Sequence, residues 1–187
     1  MPETVIETER MLLRTEAPGD FDIWMREINT QTVREYLRGP ESAERVRETF
    51  AKMAKSQLEE GFSFLFLEDR VSGELLGCAG LKRAGSDGLA AELHGELEIG
   101  WLLRESAWGR GLASEAARAL IDFAFERHRA PRVISLTSRS NPASWRIMEK
   151  LGMSYHPEWD FTDPDFPPRD NPTIVYEITR ADWEKTQ

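Results

Sequence analysis

Residues 96–116 read ELEIGWLLRESAWGRGLASEA. Leu97, Ile99, Trp101 and Leu103 alternate with Glu96, Glu98, Gly100 and Leu102, close to the period of a half-buried strand. Arg104-Glu105-Ser106 breaks the alternation, and Trp108-Gly109-Arg110-Gly111 turns the chain. From Leu112 a helical spacing sets in, with Leu112, Ala116, Ala119, Leu120 and Phe123 on one side. A turn with two glycines at a helix start leaves several backbone N–H groups unpaired. With the positive end of the helix dipole they suit a phosphate or pyrophosphate. One glycine is enough for a tight connection; two, with Arg110 between them, favour an anion site.

N-terminal to this stretch, Arg10 to Arg14 (RMLLR) reads as a short strand. Pro18-Gly19-Asp20 opens a helix with Phe21, Trp24, Met25 and Ile28 on one face. Thr32 to Leu37 continues as a short helical piece, stopped by Gly39-Pro40. Ser42 caps a longer helix to about Glu60, with Val46, Phe50, Met53 and Ala54 as its inner face and Gly61 as its end. Phe62 to Glu68 and Glu74 to Leu81 form a hairpin about Ser72-Gly73, and Gly85 to Gly88 is a loop.

C-terminal to it, the helix from Leu112 runs to about His128, and Val133 to Thr137 is a β-branched strand. Asn141-Pro142 starts a helix closed by Gly152. Met153 to Trp159 and Thr173 to Ile178 read as the last strands, before a polar tail. The order β-α-α-β-β-β-α-β-α-β-β predicts one mixed α/β sheet with helices on its faces.

A chain of 187 residues suits a single domain with a proper core. Its net charge of −9 argues against a nucleic-acid footprint. That charge favours cationic partners such as amines or basic polypeptides, though solubility alone explains it equally well. No apolar run reaches the ~18 residues of a membrane span, and no secretory h-region is expected near the start. The one cysteine, Cys78, lies in LLGCAGL and reads as a buried hydrophobe in a chain suited to the reducing cytoplasm. His94 and His156 have no partners at metal-ligand spacing, so no metal is expected.

Three ligands compete for the glycine turn. A nucleoside-triphosphatase loop needs Gly-Lys-Ser/Thr, and Gly111-Leu112-Ala113 lacks it. Gly109-x-Gly111-x-x-Ser114 approaches a dinucleotide fingerprint, but Arg104 to Trp108 separate it from the strand. The next strand ends in no Asp or Glu for a ribose, although Arg139 could meet a 2′-phosphate. An NADP-binding oxidoreductase therefore stands only as an alternative.

The third ligand comes from a resemblance. Three ordered blocks carry it: Glu98-Ile99-Gly100-Trp101; Trp108 to Ala116; and Asn141-Pro142-Ala143-Ser144 with Glu149-Lys150-Leu151-Gly152-Met153. They resemble the GNAT acyl-CoA N-acetyltransferases, in detail the RimJ/RimL-like branch. Arg10 to Arg14 and Val175 to Ile178 are similar to that branch's first and last strands. The resemblance covers about residues 9–183 as one acetyltransferase domain. Trp108 stands where many of the wider family have Gln or Arg, and it narrows the resemblance to this branch.

The resemblance implies a single-domain α/β (α+β) fold, with a mixed, mostly antiparallel sheet of about seven strands and a splayed central strand pair. It implies acetyl-CoA as co-substrate and a primary amine as acceptor, either a protein N-terminus or a small molecule such as an aminoglycoside. Gly109, Arg110, Gly111, Leu112, Ala113 and Ser114 would hold the pyrophosphate. Pantetheine would run along Trp101, Leu102 and Leu103, one of whose amides polarises the thioester carbonyl. Glu98 would be the general base, with Glu96 or a water in reserve. Many members protonate the leaving thiolate with a Tyr on the helix after Asn141. This helix has none, and Ser144 is the available hydroxyl. Asn141 would bond pantetheine or cap its helix. The acceptor-side segments, Ile28 to Pro40 and Phe161 to Asn171, carry no decodable motif. A cytoplasmic location is expected, with no nucleic-acid or membrane partner and room for a homodimer. A non-catalytic acyl-CoA-binding sensor is the alternative of a different class.

Overall fold

The computed structural model describes residues 1–186. Among them the strands are β1 (Thr4–Glu7), β2 (Met11–Arg14), β3 (Phe64–Asp69), β4 (Leu75–Arg83), β5 (Leu97–Leu103), β6 (Arg132–Ser138), β7 (Ser154–Tyr155) and β8 (Thr173–Thr179). They form an eight-stranded sheet in the order β1-β2-β3-β4-β5-β6-β8-β7. The pairs β1–β2, β2–β3, β3–β4, β6–β8 and β7–β8 are antiparallel, and β5–β6 is parallel. The helices are α1 (Asp20–Ile23), α2 (Ala43–Glu60), α3 (Leu112–Glu126), α4 (Pro142–Lys150) and α5 (Arg180–Glu184). This is the mixed, mostly antiparallel sheet expected, with one strand more than expected: Thr4–Glu7, too short and polar to show a strand pattern, pairs with β2.

The chain divides into two compact units, one of Met1–Gly80 and Trp101–Ala119, the other of Leu81–Gly100 and Leu120 onward. In the first, Trp24 meets Phe50 edge-on at 5.3 Å, and Phe50 meets Phe66 at 4.9 Å. Ile28, Val46, Leu75 and Cys78 complete this cluster. Ser42 Oγ accepts from Arg45 N to start α2, and Gly61 ends it at φ 76°. Val46 and Phe50 face inward as expected, but Ala54 is exposed, because it sits at the edge of the buried stripe.

Two helical expectations need correction in this unit. The helix from Asp20 widens after one turn into a π-helix over Trp24–Ile28, closed by Asn29 N to Trp24 O at 2.7 Å. Trp24 and Ile28 are both buried. Of Thr32 to Leu37, only Glu35–Leu37 is helical. There Arg34, buried, spends its guanidinium on Gly39 O and Glu41. A second buried arginine, Arg14, binds Asp20 through both nitrogens (2.7 and 3.0 Å) and Glu68 through Nε. It thereby ties β2 to α1 and β3.

In the second unit β6 and β8 pair along their whole length, from Arg132↔Thr179 to Ser138↔Thr173. Ala84, Leu89, Leu93, Ile134, Phe161 and Val175 pack as one cluster. The strand expected over Met153 to Trp159 is only Ser154–Tyr155. Pro157, with no N–H to give a ladder, begins a 3-10 turn instead. The tail is not merely polar. Thr179 caps α5, whose Trp183 stacks on Phe125 at 5.1 Å and donates to Asp122 at 2.6 Å. Along α3 the buried stripe is Leu112, Ala116, Ala117, Leu120, Ile121, Ala124 and Phe125. Ala119 and Phe123, expected in it, lie at its half-buried edge.

Candidate active site

The glycine turn adopts the geometry its composition requires. Gly109 and Gly111 sit at φ 69° and 76°, the left-handed region that other residues rarely enter. A Cβ on Gly109 would meet nothing within 4 Å, and one on Gly111 only Arg10 Nη2 at 3.6 Å. The space before the turn is therefore open. The first intrahelical bond runs from Glu115 N to Gly111 O at 3.1 Å, so the amides of Leu112, Ala113 and Ser114 belong to the unpaired first turn of α3. Such amides fit a pyrophosphate. Arg110, half exposed, reaches Asp69 at 3.7 Å.

Arg10, on the approach to β2, holds the turn from behind. Its Nη1 donates to Arg110 O at 2.8 Å, its Nε to Glu115 Oε2 at 2.6 Å, and its backbone N to Glu115 Oε1 at 2.9 Å. Burial pulls the Glu115 carboxyl upward, but bonds from Thr8 and from Arg10 outweigh it and hold it below the ordinary value.

At the end of β5, Leu102 packs into the aromatic cluster of the first unit, and Leu103 is buried. The Leu103 side chain is core, so its contact with a pantetheine arm is through the backbone, while Leu102 is half-buried. Trp108 Nε1 donates to Leu103 O at 2.7 Å and Arg104 N to Leu76 O at 2.9 Å. Arg104 also pairs with Glu27 and Glu74, each at 2.9 Å. Opposite, β4 carries a bulge at Gly77, with φ 151° and a register shift against β3. A Cβ there would lie 2.2 Å from Leu102 O. Only glycine allows β4 so close to this stretch of β5.

Glu98 is not the solvated strand residue that alternation alone suggests. It is 8% exposed, on a parallel register with Ile134. Its Oε1 meets Lys82 Nζ at 3.1 Å, while Oε2 is buried without a hydrogen-bond partner. Burial raises its carboxyl above the ordinary value, and Lys82 only partly offsets this. Glu96 has a different environment: it faces Arg132 at 3.8 Å, which itself binds Glu177 at 2.9 Å. Ser135 Oγ donates to Ile99 O at 3.0 Å, so a side chain meets β5 just past the Glu98–Ile134 pair.

At the start of α4, Asn141 caps the helix through Oδ1 and Ser144 N at 3.3 Å. Its Nδ2 donates to Ser144 Oγ at 3.1 Å. The two are thus brought together, and Ser144 keeps its own proton to donate elsewhere. Trp24 is core, while Trp145 and Trp159 are half-buried.

Arg139, the residue considered for a 2′-phosphate, is engaged by the Tyr155 hydroxyl and Asp160. His94 meets Leu89 O, and His156 lies between Glu158 and Glu177. The Cys78 thiol is pushed up to about 12 by burial, which makes it a poor nucleophile. Phe161 to Asn171 is held by Asp170, buried and bonded to Ser140 Oγ, and by Asn171, which bonds Asp163. Arg10, Gly77, Lys82 and Ser135 were not singled out from sequence. Arg10 lies within a quoted strand block, and Gly77 stands in an apolar strand run, where a glycine signals a bulge. Lys82 and Ser135 gave no signal.

The acetyltransferase (GNAT) domain family model matches residues 10–154. YkkB of Bacillus subtilis (strain 168) is 30% identical over 82% of this chain and 87% of its own length. An acetyltransferase from Agrobacterium tumefaciens superposes with a TM-score of 0.75 at 28% identity, over 94% of both chains. The aminoglycoside acetyltransferase AAC(6')-Ib, solved with coenzyme A, shares the fold with a TM-score of 0.73 at 24% identity, over 95% of this chain and 98% of its own.

Proposed function

The chain belongs to the acetyltransferase (GNAT) family, and from that premise we propose that it moves an acetyl group from acetyl-CoA to a primary amine. The observation that carries this is the pair of positive-φ glycines opening α3 onto free space with unpaired amides ahead of them. The bound thioester supplies an activated acetyl group with a thiolate leaving group. The Gly109–Ser114 backbone holds pyrophosphate, and the Trp101–Leu103 backbone orients the acyl arm. Glu98 takes a proton from the acceptor's ammonium, directly or through one water, since an alkylammonium near pKa ~10 is otherwise mostly unreactive. Ser144, its oxygen already accepting from Asn141, donates its hydroxyl proton toward the departing sulfur.

Residues 9–183 form the acetyltransferase domain in this account. The run Arg10 to Arg14, Trp108 and Asn141-x-x-Ser144 support the RimJ/RimL-like branch. The acceptor is a peptide N-terminus or a small-molecule amine. Among the described residues no helix is long and apolar enough to cross a membrane, and the cytoplasm, where acetyl-CoA is available, is the proposed location. Thermal-shift titration tests the ligand: acetyl-CoA should stabilise the protein and NADPH should not. Stabilisation by NADPH alone would overturn the assignment.

A further inference from the structure

Lys82 is the penultimate residue of β4, a strand buried until its last two positions. It lies across from Glu98: Ala84 N bonds Glu96 O at 2.9 Å, which sets Lys82 beside Glu98 in the antiparallel count. Its ammonium is half exposed and touches only one carboxylate oxygen, Oε1, at 3.1 Å. The other oxygen is shut away from water with nothing to bond. A buried acceptor left unpaired is costly, and more so when charged. Such a carboxylate gains by accepting a proton, and burial drives Glu98 the same way. What opposes this is one neighbouring cation.

We infer that Lys82 is a positioning residue for Glu98: its ammonium anchors Oε1 and keeps the carboxylate ionised, ready to receive a proton. This rests on the reading of Glu98 as the base. Among the described residues, the other cations nearby are engaged elsewhere: on β4, Arg83 donates to Gly95 O at 3.1 Å. On β6, Arg132 is committed to Glu96 and Glu177. On β8, Glu177 is shared by Arg132 and His156. In the loop before β5, His94 meets Leu89 O, and Glu92 accepts a hydrogen bond from Trp159 Nε1.

The proton balance closes. Glu98 takes one proton from the acceptor's ammonium, directly or through one water, and the neutral amine forms the C–N bond at the thioester carbon as the C–S bond breaks. The thiolate leaves with the Ser144 hydroxyl proton, Ser144 takes the second N–H proton in its place, and Glu98 returns the first to solvent. A base that starts protonated cannot begin this cycle, so Lys82 sets the lowest pH at which it turns.

Carbon-13 NMR of the protein labelled at glutamate side-chain carboxyls tests the idea without an acceptor. The Glu98 signal is assigned by its loss in Glu98→Gln, and its midpoint is followed in wild type, Lys82→Met and Lys82→Arg. Lys82→Met keeps the aliphatic stem and removes the charge, so the midpoint should rise by about one pH unit, the lower end of the effect of a nearby opposite charge. Lys82→Arg should restore it. With an acceptor in hand, the acid limb of kcat should move with the midpoint while acetyl-CoA affinity stays put. A midpoint in folded Lys82→Met that matches wild type overturns the inference. If instead the midpoint shifts but Glu98→Gln keeps full activity, the base assignment fails and takes the inference's catalytic meaning with it.

Discussion

Arg10 donates to Glu115 through both its backbone amide and its guanidinium, at 2.9 and 2.6 Å, across 105 positions of sequence. The same side chain binds Arg110 O inside the glycine turn. A half-exposed arginine thus fixes the loop whose amides should meet pyrophosphate. As a partly exposed ion pair it contributes only about 1 kcal/mol or less to folding. Arg10→Ala should therefore leave the melting temperature almost unchanged. It should weaken acetyl-CoA binding several-fold, up to about tenfold, measured by isothermal titration calorimetry.

Gly111→Asp probes the turn itself. The added Cβ meets nothing tighter than Arg10 Nη2 at 3.6 Å, and Asp tolerates the left-handed region better than most residues. The variant should fold. Its carboxylate would compete with Glu115 and Arg110 O for the Arg10 guanidinium and add negative charge to the pyrophosphate loop, so coenzyme A affinity should drop by more than tenfold, above ~1.4 kcal/mol. Unchanged affinity in equilibrium titrations would reduce the glycine pair to a simple bend.

Gly77→Ala should do the reverse. A Cβ 2.2 Å from Leu102 O cannot be accommodated without moving backbone, and the φ of 151° is itself poor for alanine. A loss of at least ~2 kcal/mol is expected in urea denaturation, in the range of forced overpacking.

Glu98→Gln should make the protein more stable near neutrality. The folded carboxyl titrates above its unfolded value because of burial. The folded state therefore binds the proton more tightly, and that stabilisation is complete below the unfolded pKa and disappears as pH rises through the folded one. Above that window the wild type carries a buried charge that glutamine does not. The melting-temperature advantage of Glu98→Gln should thus grow from pH 4 upward and then level off, as scanning calorimetry at stepped pH would show.

Much of this was legible in the sequence because it depended on local rules. Ser42 and Asn141 start their helices, and Gly61 and Gly152 close theirs, as their residue types dictate, and the glycine pair announced its own backbone. What escaped depended on long-range partners. The burial of Glu98 is set by neighbouring strands and not by its own alternation. Lys82 owes its role to a cross-strand register that only pairing reveals. The π-helix at Trp24 shows apolar spacing that an α-helix would share. The polar tail hid one tryptophan, and that single residue is enough to dock α5 on Phe125.

Acetyl transfer itself is tested most directly by its product. The protein is incubated with acetyl-CoA and a panel of primary amines and N-terminal peptides, following free thiol release and acetylated amine by mass spectrometry. The account predicts that at least one acceptor yields thiol and amide in equal amounts, with a rate near neutrality that falls ~10²-fold or more in Glu98→Gln. If acetyl-CoA binds and stabilises the protein but no amine in the panel is acetylated, the account is contradicted and the chain is an acyl-CoA-binding sensor.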